Sequence, residues 1–222
     1  MKKATQEKAM INGPAGRLEA LLSYAADHGS YIAVICHPHP LHGGTMRNKV
    51  VHTMARVCHE MGAPVLRFNF RGVGASEGEF GHTVGEAGDL AACVQWMRDK
   101  YPGRHLLLAG FSFGSYVAAK MAARLGAHAL ISIAPPVNLY EFGAIEAPQE
   151  PWLVVQGGKD EVVPADEVRQ WAGTTTAVNH LAWMADASHF FHGRLLDLSA
   201  VVKEWLETAI DMGGDDSEFD PG

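Results

Sequence analysis

One short stretch of the sequence combines a nucleophilic side chain with a backbone able to expose it. Residues 110–114 read Gly-Phe-Ser-Phe-Gly and follow the apolar run 106–109. Residues 115–125 then show a helical pattern, which Gly126 ends. A serine between glycines at a sharp strand-to-helix turn is held with its hydroxyl above the sheet. The stretch therefore predicts that Ser112 is a nucleophile.

Two structural roles compete with this interpretation. Serine is a favoured N-cap residue, so Ser112 could serve only to begin the helix that follows it. Ser115 lies one turn further on, where we expect its hydroxyl to be packed or hydrogen-bonded within the helix. The nucleophile prediction depends on finding a base and an acid elsewhere in the chain.

A serine hydroxyl becomes nucleophilic when a base accepts its proton, and that base needs an acid to orient it. His189 follows the strand-like run 180–184, and Asp160 follows the run 152–156. We therefore predict that Ser112, Asp160 and His189 form a catalytic triad in the chain order Ser, Asp, His.

Three nearby residues are alternatives to the last two members of this triad. Asp166 follows a proline at a predicted helix start, where a carboxylate stabilises the helix dipole without any catalytic role. Asp186 is close to His189 in the sequence, and His192 lies three residues beyond it. The sequence leaves Asp186 as the main competitor of Asp160.

The elements that must position these residues form an alternating series. Apolar runs typical of buried strands alternate with helical patterns, at 48–61, 84–101, 115–125 and 194–210. The pattern predicts an α/β fold with a mostly parallel, doubly wound sheet and helices on both faces. In such a sheet, ligands bind beyond the carboxyl ends of the strands, where the predicted triad lies.

With these motifs the chain resembles the α/β-hydrolase superfamily over residues 16–210. The loop after residue 36, which reads His-Pro-His-Pro-Leu-His-Gly-Gly, resembles small lidless bacterial Ser-Asp-His hydrolases, close to dienelactone hydrolases and small esterases. The resemblance implies an α/β-hydrolase fold without a lid domain. It also implies a serine hydrolase that cleaves a small-molecule carboxylic ester or thioester through an acyl-enzyme.

Such an enzyme needs two backbone amides to bind the oxyanion. One is that of Phe113, the residue after the nucleophile, and the second comes from the loop after residue 36. Pro38 and Pro40 have no N–H, which leaves His39 or Leu41. The resemblance favours His39.

The substrate pocket is expected to be open and aromatic. Residues 135–151, where related enzymes insert a lid, are too few to form one. We expect the cleft to be shaped by Phe113 and by four predicted substrate-binding residues, Phe111, Tyr140, Phe142 and Phe190, and to suit short or medium acyl groups. A small peptidase or amidase with the same triad, and a non-catalytic binding protein on this fold, are the alternatives.

Three histidines in the loop suggest a metal site at first sight. His37, His39 and His42 are separated by prolines and have no acidic or cysteine partner nearby in the sequence. We therefore expect no metal, and the proposed acyl transfer needs no cofactor. These histidines are expected to shape the loop over the acyl group.

Composition sets the remaining expectations. The net charge of −7 and the scattered basic residues argue against nucleic acid as a partner, and no apolar run reaches the ~20 residues that span a membrane. Three cysteines without paired spacing favour a reducing, cytoplasmic setting. We expect one domain over residues 1–212 and a disordered acidic tail at 213–222, and leave a homodimer open.

Overall fold

A computed structural model describes residues 5–24, 29–145, 151–175, 178 and 180–209. Its centre is one sheet of eight strands in the order β1-β2-β4-β3-β5-β6-β7-β8. The strands are β1 (Thr5–Gly13), β2 (Gly16–Tyr24), β3 (Tyr31–Cys36), β4 (Val65–Phe68), β5 (His105–Phe111), β6 (Ala129–Ile133), β7 (Trp152–Gly157) and β8 (His180–Met184). The pairs β1–β2 and β2–β4 are antiparallel and all other pairs are parallel.

Within the described residues, five α-helices cover the two faces of the sheet. They are α1 (Lys49–Glu60), α2 (Val84–Lys100), α3 (Phe113–Ala122), α4 (Ala165–Thr174) and α5 (Leu195–Ala209). Side chains of α1 and α5 share one apolar core with the sheet, and those of α2, α3 and α4 share the other. None of the helices described by the structure has the length and apolar character needed to cross a membrane.

The central strands show why the sequence folds in this way. Every residue of β3, β6 and β7 is buried, as expected of parallel strands covered by helices on both sides. The predicted fold class, a mostly parallel sheet with helices on both faces, is confirmed. The strand β1 was not predicted, and it adds an antiparallel edge that pairs along its whole length with β2.

All three cysteines lie in these cores. Cys36, Cys58 and Cys93 are buried free thiols. Burial raises the pKa of the Cys58 thiol to about 12 and raises those of Cys36 and Cys93 as well. The thiols are therefore packing residues of the core. The predicted tail at 213–222 lies outside the described residues.

Candidate active site

The turn between β5 and α3 holds Ser112 in a conformation that few residues adopt. Its backbone angles are φ 52° and ψ −121°, and its amide donates to the carbonyl of Ile133 on the neighbouring strand at 2.9 Å. Ser112 stands at the N-cap position of α3, yet its side chain makes no capping hydrogen bond. The hydroxyl is thus left for another role, whereas that of Ser115 donates to the Ser112 carbonyl at 2.6 Å.

The two glycines that flank Ser112 are required by close backbone approach. A Cβ atom on Gly114 would lie 2.5 Å from the carbonyl oxygens of both Cys36 and His37, at the end of β3. A Cβ atom on Gly110 would collide with the carbonyl of Gly114. Only residues without side chains let the strand turn so tightly into the helix, and this is the physical reason for the Gly-x-Ser-x-Gly pattern.

The other two predicted triad residues lie at the carboxyl ends of β7 and β8 and contact each other directly. The His189 Nδ1 atom lies 2.9 Å and 3.1 Å from the two carboxylate oxygens of Asp160. Both side chains are almost fully buried, with 3% of His189 and 0% of Asp160 exposed. Because Nδ1 faces Asp160, Nε2 lies on the side of the ring away from that carboxylate. His189 and Ser112 line the same cavity.

Hydrogen bonds hold the Asp160 side chain as a carboxylate. Its Oδ1 accepts from the amides of Val162 and Val163 at 2.9 Å and 2.8 Å, and its Oδ2 accepts from the Gln156 side chain at 3.1 Å. Burial alone would raise the pKa of Asp160, but the bonds from His189 and the two amides outweigh it, and the pKa is lowered. Asp160 is therefore a charged partner for His189.

The rival acids lie elsewhere. Asp186 is exposed and pairs with Lys159 at 2.7 Å. Asp166 is also exposed, in the first turn of α4, and lies 3.6 Å from Arg169. Neither contacts the His189 ring. A different carboxylate, that of Glu161, accepts from the His189 backbone amide at 3.1 Å and so helps to fix the loop after β8.

The loop between β3 and α1, residues 37–48, forms the opposite wall of the site. His37 is fully buried at its start: its Nε2 accepts from the Phe70 amide at 3.0 Å, and its Nδ1 lies 2.6 Å from the Pro38 carbonyl. These contacts require a neutral ring with the proton on Nδ1. Burial lowers the pKa of His37 to about 4, which keeps the ring neutral near pH 7.

Asn69, which the sequence reasoning missed, ties the same loop to the end of β4. Its Oδ1 accepts from the Met46 amide at 2.8 Å, and its Nδ2 donates to Glu19 at 2.8 Å. The Met46 carbonyl accepts from Arg67 at 3.2 Å. In the sequence, this role could have been suggested by the position of Asn69 between Phe68 and Phe70, because a polar side chain is unusual within an apolar run.

The candidate oxyanion donors differ in what their amides already bind. Phe113 is the first residue of α3, where an amide has no acceptor within the helix. The Leu41 amide donates to the His39 ring at 3.2 Å, in a short 3-10 helix over Pro40–His42. The His39 ring also lies 4.9 Å from that of Phe113, so the two loops meet above the sheet.

Ser112 opens into a cavity of about 640 Å³. Its walls include Ser112, His189, His39 and Asn48, together with the apolar side chains of Phe113, Pro136, Leu139, Tyr140, Val162 and Phe190. Two of the four predicted substrate-binding residues, Tyr140 and Phe190, therefore line it. Asn48, Leu139 and Val162 were not predicted, because they lie on three separate loops with no shared sequence pattern.

The other two predicted substrate-binding residues lie outside this cavity. Phe111 is fully buried in β5 and packs beneath the His189 ring, with 5.0 Å between the ring centres. Side chains alternate along a strand, and Phe111 shares the face that α1 and α5 cover. Phe142 is buried among Tyr116 and Trp171 and borders a neighbouring depression instead. Phe111 therefore supports the imidazole, and Phe142 supports the Tyr140 wall.

A metal site is the other role that the spacing of His37, His39 and His42 suggests. The rings of His39 and His42 pack against each other with 4.6 Å between their centres. Across the described part of the chain, no three His, Cys, Asp or Glu side chains are grouped so that they could hold a metal ion.

The eight-stranded sheet, the strained serine after β5 and the paired Asp160 and His189 define the class to which this chain belongs. It is a member of the α/β hydrolase domain family, whose model matches residues 32–211. This family membership and the fold confirm the resemblance inferred from the sequence.

Similar proteins come from several bacteria. A structure described as an α/β serine hydrolase without a lid, from Xanthomonas campestris, is 39% identical, with a TM-score of 0.89 over 96% of this chain and 98% of that one. An α-β serine hydrolase homologue from Coxiella burnetii is 44% identical, with a TM-score of 0.86 over 90% and 97%. An uncharacterised protein of Rickettsia prowazekii is 34% identical over 89% of this chain and 87% of its own length. The chain is thus similar to serine hydrolases, one of them described as lidless, over nearly its whole length.

Proposed function

We propose that this chain hydrolyses a small carboxylic ester or thioester through an acyl-enzyme. Ser112 Oγ attacks the carbonyl carbon while His189 Nε2 accepts its proton. The tetrahedral intermediate then collapses, and His189 returns the proton to the departing alcohol or thiol. Water, deprotonated by His189, attacks the acyl-enzyme and releases the acid and the free serine. The steps need no metal or cofactor.

The observation that carries this proposal is the buried contact between His189 and Asp160, beside a serine with no capping bond. A carboxylate bound to Nδ1 fixes the tautomer in which Nε2 accepts a proton, and it stabilises the imidazolium that forms. A serine that only capped a helix would need neither group. A non-catalytic binding protein on this fold would have no use for a buried carboxylate in contact with an imidazole.

For the oxyanion we propose the amides of Phe113 and His39. The Leu41 amide, the other candidate, already donates to the His39 ring. Each amide aimed at the developing oxyanion is worth about 3–4 kcal/mol in transition-state stabilisation.

The cavity supports short or medium acyl groups as the substrate class. Its apolar walls come from Phe113, Leu139, Tyr140, Val162 and Phe190, and none of the described residues that line it is acidic. The described part of the connection between β6 and β7 contains only a short 3-10 helix at Phe142–Ala144. A p-nitrophenyl ester series should therefore show falling kcat/KM for long acyl chains, and a preference for long-chain esters would contradict this.

Covalent labelling tests the nucleophile most directly. A fluorophosphonate probe should label the wild type and fail to label Ser112→Ala, whereas Ser115→Ala should be labelled like the wild type. A folded wild type that the probe does not label would favour a binding protein. Matched p-nitrophenyl esters and p-nitroanilides then separate esterase from amidase chemistry, and we expect turnover of the esters only.

The orienting acid has a matched control in the chain. Asp160→Asn should lower kcat by about 10⁴, because the amide favours the wrong tautomer of His189. Asp186→Asn, which changes an exposed acid paired with Lys159, should leave kcat within about twofold of the wild type. Equal losses in the two variants would remove Asp160 from the proposed triad.

We propose a reducing, cytoplasmic setting for this activity. All three cysteines are buried free thiols, and none is paired in a disulfide. Proteins with such isolated core thiols are typical of reducing compartments.

A further inference from the structure

A separate cavity lies between α1 and the antiparallel end of the sheet. Its volume is about 160 Å³, and it shares no residue with the cavity at Ser112. The polar side chains that line it are Gln6 and Ser23 from β1 and β2, Arg67 from β4, and His52, Arg56 and His59 from α1. None of these six is acidic.

Arg67 is the unusual member of this group. It lies within a strand and only 5% of it is exposed. One guanidinium nitrogen, Nη1, donates to the Met46 carbonyl, while the buried Nε has no partner. Buried arginines are normally paired, because an unpaired buried charge is costly. Burial and the nearby Arg47 both lower the pKa of Arg67, and no described acid forms an ion pair with it.

The helix adds further donors on the facing wall. His52, Arg56 and His59 are spaced by four and three residues, which places them on one face of α1. The His59 Nδ1 atom is also buried without a partner. Glu60 lies 4.0 Å from Arg56, and no other described acid forms an ion pair with a residue that lines the cavity. Arg56 and Arg67 thus bring two guanidinium groups to one cavity in a chain whose net charge is −7. Burial and these two arginines lower the pKa of His52, which favours a neutral ring there.

From these contacts we propose that this cavity binds a phosphate-type oxyanion, either inorganic phosphate or the phosphoryl group of a small phosphomonoester. The edge of the Arg67 guanidinium that carries Nε fits two oxygens of such an anion in a bidentate manner. Donors from α1 and the Ser23 hydroxyl approach from other directions. A tetrahedral oxyanion uses donors on several sides, whereas a planar carboxylate uses fewer.

Calorimetric titration with inorganic phosphate, at constant ionic strength in chloride buffer, tests the site. The wild type should bind one phosphate per chain. Arg56→Gln and His59→Gln should each weaken binding several-fold, and Arg67→Gln by about tenfold or more, as expected for the loss of charge-assisted hydrogen bonds. The matched control is Arg124→Gln, which removes one positive charge from the turn just after α3, on the opposite face of the sheet.

Several outcomes would overturn the proposal. They are no heat of binding above that of chloride, equal weakening in Arg124→Gln, or equally tight binding of acetate. Circular dichroism shows whether Arg67→Gln is folded. If it is not, the α1 variants still decide the question, because their side chains are exposed or half-buried.

Two further titrations identify the source of the anion and distinguish this site from the proposed hydrolase site. Glycerol phosphate that binds as tightly as inorganic phosphate would assign the cavity to a phosphomonoester, and binding of inorganic phosphate alone would assign it to the free ion. Ser112→Ala should bind phosphate as the wild type does. Loss of binding in Ser112→Ala would instead place the anion in the Ser112 cavity and contradict the proposal.

Discussion

The two walls of the Ser112 site are built in different ways. On one wall the turn between β5 and α3 is fixed by backbone packing, since Gly110 and Gly114 leave no room for a side chain. On the other wall the 37–48 loop is fixed by polar side chains, chiefly His37 and Asn69. Ser112, the proposed nucleophile, is therefore positioned by steric exclusion, and the loop with the proposed second oxyanion amide is positioned by hydrogen bonds.

This difference has a physical consequence. Steric exclusion does not depend on pH or on a protonation state, and it fails only when atoms are added. Hydrogen bonds from a buried imidazole and a buried amide depend on the tautomer, the pH and the partner of each group. The two walls should therefore respond differently to the same kinds of change.

The largest effect is expected on the steric wall. Gly114→Ala places a Cβ atom 2.5 Å from two backbone carbonyl oxygens and should lower the free energy of unfolding by more than about 4 kcal/mol. Urea unfolding measures it. The control is Gly143→Ala, where no atom lies within 4 Å of the new Cβ, and stability should change by less than about 0.5 kcal/mol. If Gly114→Ala were as stable as the wild type, the backbone around Ser112 would be able to shift, and the steric explanation would be wrong.

A smaller effect, dependent on pH, is expected on the polar wall. The pKa of His37 is lowered from 6.5 to about 4 in the folded chain. Below pH 6.5 this histidine is therefore protonated in the unfolded chain but stays neutral in the folded chain, which favours unfolding. Stability from this group is complete above pH 6.5 and is lost progressively toward pH 4. Between about pH 7 and pH 5 this amounts to about 2 kcal/mol.

Urea unfolding of His37→Gln at these two pH values checks this. The variant should be less stable than the wild type at pH 7. Between pH 7 and pH 5 it should also lose about 2 kcal/mol less of its free energy of unfolding than the wild type does. His192→Gln, which changes an exposed histidine, should keep the slope of the wild type. An unchanged slope in His37→Gln would show that other groups cause the acid sensitivity.

The smallest stability effect should be accompanied by a change in rate. Asn69→Ala removes the bonds to Met46 and Glu19 and should lower the free energy of unfolding by about 1 kcal/mol. Because the 37–48 loop then loses its anchor, kcat should fall about tenfold or more with little change in KM. Steady-state kinetics on one p-nitrophenyl ester measures both.

Its counterpart on the steric wall is Ser115→Ala, which removes only a bond to the Ser112 carbonyl. That variant should keep kcat within about threefold of the wild type. A larger loss of kcat in Ser115→Ala than in Asn69→Ala would reverse the comparison between the walls.

Much of this architecture could be predicted because its causes are local. The predicted helix at 84–101 is α2 at Val84–Lys100, and the run 180–184 is β8, because period and length identify such elements. The Gly-x-Ser-x-Gly stretch predicted the sharp strand-to-helix turn at Ser112 for the same reason, because the constraint on that backbone comes from residues next to it in the sequence. The carboxyl ends of parallel strands then placed Asp160 and His189 at one edge of the sheet.

What the sequence did not predict depends on contacts between distant residues. Thr5–Gly13 has an irregular mixture of polar and apolar residues, and it becomes a strand because β2 pairs with its whole length. Phe111 lies next to Ser112 in the chain yet faces the other side of the sheet, under His189. Asn69 is a positioning residue only because Met46 and Glu19, each more than twenty residues away, meet it.

The burial of the three cysteine thiols makes them reporters of large-scale opening. A thiol reacts with alkylating reagents as its thiolate, and burial both raises the pKa of each thiol and excludes the reagent. Cys58 lies in α1 and Cys93 in α2, on opposite faces of the sheet. The alkylation rate of the native chain with iodoacetamide therefore records how often each half of the molecule exposes its interior, and similar rates at both positions would mean that the halves open together.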